Sequence, residues 1–406
     1  MWWHFASATV IRIAQPMIEN PSFALQASLP PLRKMHPRRK RRFFLSGMTA
    51  VLALVAGGQA EAQTSQVQSP VSDESVTFFG VVDIYGSYGK GSNASKTQLA
   101  SGGNTASRWG FKGYENLGGG IAAGFWLEGS ISMDTGSYGT SNVNNTPSGT
   151  VDALFGRRAT VSLMDFWGEV RLGRDFNPTY RNRDQTDPFS NNGAGNSQPN
   201  AGTLGGSTAT RVSNSIAYFL PAGLGGLFGE AQYFMGENAH LSGQPNVQDG
   251  DGYGARIGWG SGPFSIAVAT GLTQYTRTAT TGDIQVVNVG AGYDFGVVRI
   301  TAGYFRDEVK SSVPVVGDGY IVGAVVPIGA SQFKASFSSY GTSAAGEPRA
   351  DKLALGYVYN LSKRTLLYTT YAYVRNDGGS AVALNGSLTA PNAHSQGVDV
   401  GMKHSF

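Results

Sequence analysis

The last ten residues, Gly397 to Phe406, alternate apolar and polar positions. Val398, Val400, Met402, His404 and Phe406 fall on one side; Asp399, Gly401, Lys403 and Ser405 fall on the other. Successive residues of a strand point to opposite sides, so the stretch predicts a strand with one apolar and one polar face. An aromatic terminus on the apolar face suits a sheet whose outer face is covered by lipid and whose last strand closes onto its first.

The same alternation recurs along the chain. Sixteen strands are predicted, beginning near Val76, Ser107, Gly120, Leu154, Gly168, Thr210, Leu224, Gly252, Pro263, Asp283, Val297, Gly319, Ser331, Ala350, Lys363 and Gln396. Short connections such as Gly118-Gly119, Gly260-Ser261-Gly262 and Leu361-Ser362 alternate with long polar ones near 89–106, 134–152, 177–209, 237–251, 275–282, 309–318, 341–349 and 377–394. Short turns on one side and long loops on the other, with an even strand count, are the pattern of a transmembrane barrel. Tyr85, Tyr88, Phe219, Tyr233, Tyr293, Tyr304, Tyr340, Tyr371 and Tyr373 fall near strand ends, where interfacial aromatic girdles form. The fold class expected is all-β: a transmembrane antiparallel 16-stranded β-barrel. The competing reading, a soluble sandwich or β-helix, would require polar outer faces.

Composition supports one large domain. The 406 residues include 57 Gly and no Cys, and only 14% are charged. Disulfides and Cys-ligated metals are therefore excluded. The formal charge of +4 is concentrated at the N-terminus. Residues 1–62 hold eight Lys/Arg and two acids, which leaves 23 basic and 25 acidic residues in 63–406. A basic surface for nucleic acid is not expected.

Arg38-Arg39-Lys40-Arg41-Arg42, the apolar run Phe43–Gly58 and Ala60-Glu61-Ala62 read as a secretory signal. The expected organisation is an N-terminal extension 1–34, a signal peptide 35–62 starting at Met35, a mature start at Gln63, a polar leader 63–75 and a barrel 76–406. Catalysis finds little support. His240, His394 and His404 are the mature histidines, and none sits in a nucleophile pattern. No cofactor and no metal site are expected. Gly252-x-Gly254-x-x-x-Gly258 and Gly290-x-Gly292-x-x-x-Gly296 miss dinucleotide spacing and read as strand glycines.

Several stretches together resemble the general trimeric sixteen-stranded porins of Gram-negative outer membranes, particularly those of betaproteobacteria. They are Val76–Asp83, Ser107–Gly120, Ala123-Gly124-Phe125-Trp126-Leu127-Glu128, Phe155–Ala159, Gly168–Arg174, Arg211–Tyr218 and Phe406. The resemblance implies an outer-membrane location, a homotrimer and a third long loop, Asn177–Ala209, folded inward to narrow the pore. It also implies that the second long loop latches onto a neighbour, and that Phe406 is an assembly signal read by the barrel-assembly machinery. Outer-membrane lipid and lipopolysaccharide would surround the barrel, and small outward residues, Gly80 and Gly86, would suit close packing of subunits.

By that match, Asp187 and Asp184 are the loop acids facing an arginine ladder of Arg108, Arg157 and Arg211. Alternation with Thr160 and Ser162 points Arg158 inward, whereas the family register favours Arg157, so both are retained. Arg181 and Arg183 add positive charge to the loop. The implied function is passive diffusion of small hydrophilic solutes with a mild anion preference, because charge at the constriction outweighs net charge. The alternative is a substrate-selective outer-membrane channel or an adhesin or receptor barrel.

Overall fold

A computed structural model describes residues 75–147, 149–239 and 246–406. The readings of 1–34, of the signal at 35–62, of the start at Gln63, of the leader up to residue 74 and of His240 lie outside the described residues.

One antiparallel sheet closes on itself through sixteen staves. In chain order these are β1 Ser75–Lys90, β2 in two pieces (Ser95–Ser101 and Arg108–Gly118), β3 Ile121–Ser130, β4 Arg158–Asp165, β5 Gly168–Phe176 and β6 Arg211–Phe219. There follow β7 Leu227–Phe234, β8 Gly252–Ser261, β9 Phe264–Thr273, β10 Ile284–Asp294 and β11 Arg299–Val309. The last five are β12 Val315–Ile328, β13 Ser331–Thr342, β14 Arg349–Asn360, β15 Thr365–Asp377 and β16 Ser395–Ser405. The seam pairs β1 with β16, from Val81 opposite Ser405 to Lys90 opposite Gln396. Phe406 completes it: its N–H and C=O exchange 3.0 Å hydrogen bonds with Gly80. The Phe406 ring covers Gly80, where a Cβ would come within 2.3 Å of it, and lies 5.5 Å from the Phe78 ring. Gly80 therefore accommodates the chain's own terminus, and only Gly86 remains a bare outward glycine of β1.

Two boundaries differ from the sequence expectation. The stretch read as a long loop, 89–106, contains the first piece of β2, which pairs with β1 from Lys90 opposite Ser95 to Ile84 opposite Ser101. The strand then breaks around Asp83. The carboxylate of Asp83 accepts the N–H groups of Gly103, Asn104 and Thr105 at 3.3, 3.0 and 2.7 Å. Gly102 turns the chain into this break at φ +83°. An inward carboxylate thus replaces ladder partners that the backbone gives up. Strand β4 begins at Arg158 instead of near Leu154, because Leu154 lies in a turn and is 52% exposed.

The faces follow the alternation. Val161, Ile216, Tyr233, Ile257, Val268, Val289, Tyr304, Val322, Leu355 and Val400 are all exposed on the outside. Inward positions are buried and polar, as at Asn288, Thr301, Ser336, Ser338 and Asp399. This inverts a soluble sheet protein and suits lipid outside and water inside.

The second and third long loops fold inward. The second, between β3 and β4, seats its tip on its own barrel. Asn145 is 1% exposed; its amide donates to the carbonyls of Ser213 and Met235 at 3.1 Å each and accepts from Ser213 N–H at 2.7 Å. Tyr275 donates its hydroxyl to the Asn145 carbonyl at 2.6 Å. The tip of this loop is thus tied to its own barrel through Asn145.

The third loop, after β5, carries α1 Pro178–Asp184 and α2 Gln198–Ala201. Asn177 caps α1 by accepting Thr179 N–H at 3.0 Å. Pro178 opens the first turn, where its missing N–H costs nothing. The loop is fastened to the wall throughout. Asn182 donates to Asn288 Oδ1 at 2.7 Å, Thr301 donates to the Thr186 carbonyl at 2.7 Å, and Asp399 accepts Ala194 N–H at 2.7 Å. Lys352 donates to the Ala194 and Asn196 carbonyls at 3.3 and 2.6 Å. Phe189 packs among Ala354, Ala372 and Val374, the buried apolar cluster between loop and wall.

The wall is hollowed for this contact by glycine. Side chains at Gly290 and Gly323 would meet Thr186 at 2.5 Å and Pro188 at 2.3 Å. These strand glycines therefore set how closely the loop lies. A Gly323→Val variant is expected to push the loop into the lumen and lower single-channel conductance; a native step size would contradict this.

Candidate pore constriction

The inner wall beside the third loop is charged, and its charges are placed by strand parity. On β5, Glu169, Arg171 and Asp175 face inward; Glu128 on β3 and Glu230 on β7 do the same. Six arginines, Arg108, Arg157, Arg158, Arg171, Arg181 and Arg256, share the four carboxylates of Glu128, Glu169, Asp175 and Glu230. Glu128 accepts Arg157 Nε at 2.6 Å and lies 3.8 Å from Arg108 Nε. Asp175 meets Arg171 at 2.6 Å, Arg181 at 2.7 Å and Arg158 at 3.9 Å. Glu230 meets Arg181 at 3.2 Å and Arg256 at 3.9 Å.

Aromatic faces hold several of these cations in place. The Arg158 guanidinium lies 4.5 Å from the Trp126 ring centre, and that of Arg171 lies 4.1 Å from Phe219. Arg211 meets no carboxylate among the described residues. Its Nε donates to the Arg157 carbonyl at 2.8 Å, and its guanidinium lies 4.3 Å above Phe176. A guanidinium over a ring keeps its charge while losing conformational freedom.

The eight charged residues expected from the sequence divide into three groups. Arg108, Arg157, Arg158, Arg211 and Arg181 join the wall network just described. Arg157 precedes β4 and escapes its alternation, so it and Arg158 both reach inner-wall carboxylates, Glu128 and Asp175. Asp184 lines the cavity under the loop and accepts the Asn191 amide at 3.0 Å. Arg183 and Asp187 serve the loop's own structure. Arg183 is 4% exposed and donates to the Ala209 carbonyl at 3.1 Å. Asp187 accepts Phe189 N–H at 2.8 Å and Ser197 N–H at 2.9 Å, which occupies both its oxygens.

Burial first, and Asp187 second, hold the Asp184 carboxyl above the usual carboxylate range. As pH falls, Asp184 therefore takes up its proton before an ordinary carboxylate would, and the loop loses a negative charge. Anion preference is expected to rise on acidification over that window. Reversal potentials recorded across a pH series for native and Asp184→Asn channels check this: the variant should lose that step.

Sequence reasoning missed Glu128, Glu169, Arg171, Asp175, Glu230 and Arg256, although inward parity was visible in Glu169-x-Arg171-x-x-x-Asp175. It also missed Arg299 and Lys334, which line a cavity of about 780 Å³ beneath the loop, together with Phe176, Tyr180, Arg181 and Arg256. Both lie near short turns, Arg299 after 295–298 and Lys334 after 329–330. The cavity therefore opens on the short-turn side, periplasmic in such barrels.

The family model for Gram-negative porins matches residues 49–379. Outer membrane porin protein 32 of Delftia acidovorans is 33% identical over 88% of this chain and 99% of its own length. An outer membrane porin protein of Bordetella pertussis is 27% identical over 87% of this chain and 98% of its own. The solved structure of an anion-selective porin from Comamonas acidovorans matches with a TM-score of 0.72 at 30% identity, covering 82% of this chain and all of that one. With a closed sixteen-stave barrel, an apolar outside and a lumen lined by charge, the chain belongs to the Gram-negative porin family and is an outer-membrane channel for passive diffusion.

Proposed function

We propose that this channel admits small hydrophilic solutes with a preference for anions, and that Arg108, Arg157, Arg158, Arg211 and Arg181 set that preference at the constriction. The carrying observation is the imbalance of the wall network. Six arginines share four carboxylates, and Arg211 stands outside every ion pair among the described residues. A low-dielectric wall focuses the resulting potential into the lumen. Similarity to the anion-selective porin of Comamonas acidovorans supports the reading. Planar-bilayer reversal potentials in a KCl gradient test it. A chloride-favouring sign is expected, and a clear potassium-favouring sign would overturn the arginine assignment.

The assembly is proposed to be a homotrimer in lipid and lipopolysaccharide, delivered by the barrel-assembly machinery through its terminal aromatic strand. Light scattering of the detergent-extracted protein measures the copy number; a monomer mass would remove the trimer.

A further inference from the structure

The last long loop, residues 378–394 between β15 and β16, reaches the packing of the third loop. Leu384 is 6% exposed and shares one buried apolar cluster with Phe189 and Ala194 of the third loop and with Ala354, Ala372 and Val374 of the wall. A leucine on the lumen side leaves water only where another element covers it. Here part of that cover is the third loop.

Beside this cluster, Asp399 on β16 serves both loops at once. Its Oδ2 accepts the Ala194 N–H of the third loop at 2.7 Å, and its Oδ1 accepts the Asn385 amide of the last loop at 2.8 Å. Asp399 is 0% exposed, so neither bond is shared with water. Both oxygens act as acceptors, which is the work of a carboxylate. The Asn385 amide also donates to the Tyr88 and Val398 carbonyls at 3.2 Å each. The backbone is shaped for this joint on both loops. Asn385 stands at φ +53° and Gly193 at φ +56°, and a side chain at Gly193 would run into Asp399 and the Gly103 carbonyl.

The same loop begins at the outer surface. Leu388, 62% exposed, exchanges backbone hydrogen bonds with Ala94 of the first loop at 3.0 and 3.1 Å. Four residues therefore separate an exposed side chain from one buried against the third loop. We propose that Asn385 and Leu384 are positioning residues for the constriction. They fix Asp399 and the segment 189–194, and through these the depth at which the third loop stands in the lumen. The proposal rests on the constriction reading given above. It concerns the steadiness of the opening, whereas the sign of selectivity tests the arginines.

Asn385→Gly is the cleanest variant, because glycine keeps the left-handed backbone and removes only the amide. In planar-bilayer recordings of the full-length channel, the fraction of time spent in sub-conductance levels should rise about tenfold, the factor carried by a hydrogen bond to a charged group. Leu384→Ala should act in the same sense, and Leu384→Met, which refills the volume, should restore the native trace. Native traces in both Asn385→Gly and Leu384→Ala, whatever their thermal stability, would overturn the proposal. Repeating Asn385→Gly in Asp399→Ala channels separates an effect through the third loop from direct obstruction by the last one. Acting through Asp399, it should add little there; an undiminished effect would overturn the proposal. Should Asp399→Ala fail to assemble, Leu384→Ala in a Phe189→Ala background makes the same comparison on the apolar side. A potassium-favouring reversal potential alongside the expected substates would defeat the arginine assignment and leave this one standing.

Discussion

Arg157→Glu combined with Arg211→Glu should turn a chloride-preferring channel into one that prefers potassium. Each replacement changes the local charge by two units. At roughly 8 Å and an effective dielectric near 40, a unit charge is worth about 1 kcal/mol to a passing ion. Salt screens part of this, since the Debye length is about 10 Å at 0.1 M. Even after screening, the change in the chloride-to-potassium permeability ratio should exceed about tenfold, which needs only about 1.4 kcal/mol. Arg211 makes no ion pair among the described residues, so a carboxylate offsets its charge only at longer range. Arg157 shares Glu128 with Arg108, so its reversal also leaves two acids side by side. The double glutamine variant should fall between native and reversed channels. A reversal potential of unchanged sign in the double glutamate variant would show that selectivity is set elsewhere in the lumen.

Removing Phe406 is expected to cut the yield of folded barrel in the outer membrane severely, while those channels that do assemble conduct almost normally. In the folded state the residue contributes two backbone hydrogen bonds to Gly80 and a ring contact over Gly80 and Phe78. Hydrogen bonds contribute about 0.5–1.5 kcal/mol each, so the folded seam loses only a few kcal/mol. The pore lies far from this ring, whose neighbours are outward residues. A large loss of yield would therefore report on assembly. Phe406→Ala keeps both backbone bonds and separates the two roles: it should reproduce the poor yield with little loss of thermal stability. Normal yield with altered conductance would contradict the assembly role.

The barrel was legible because its signal is periodic and repeated. Strand alternation marked all sixteen staves, and Val398, Val400 and Met402 are exposed on the outside as their parity required. What failed to show was interaction across the chain. Nothing local at 102–107 announces that Asp83 will satisfy three of its N–H groups and split β2. The reach of Glu128 to Arg157 likewise depends on a turn that sets Arg157 off the β4 alternation. Helix α1 could have been anticipated from Asn177-Pro178, a capping residue followed by proline. Arg183 and Asp187 lie on the third loop, but a linear pattern does not reveal which side of a folded loop a charge will take.

The seating of Asn145 has a consequence for how this protein can change its outer surface. Loops of such a barrel are the parts seen by antibodies and phages, and they ordinarily tolerate substitution. Here the tip of the second loop is tied to Tyr275, whose hydroxyl also meets Ser207 on the third loop, and Ser207 donates to the Thr146 carbonyl at 2.7 Å. Altering that tip disturbs the segment that narrows the pore. Substitution at residues 144–146 would carry a permeability cost, so surface variation should concentrate in the loops that stay clear of this junction.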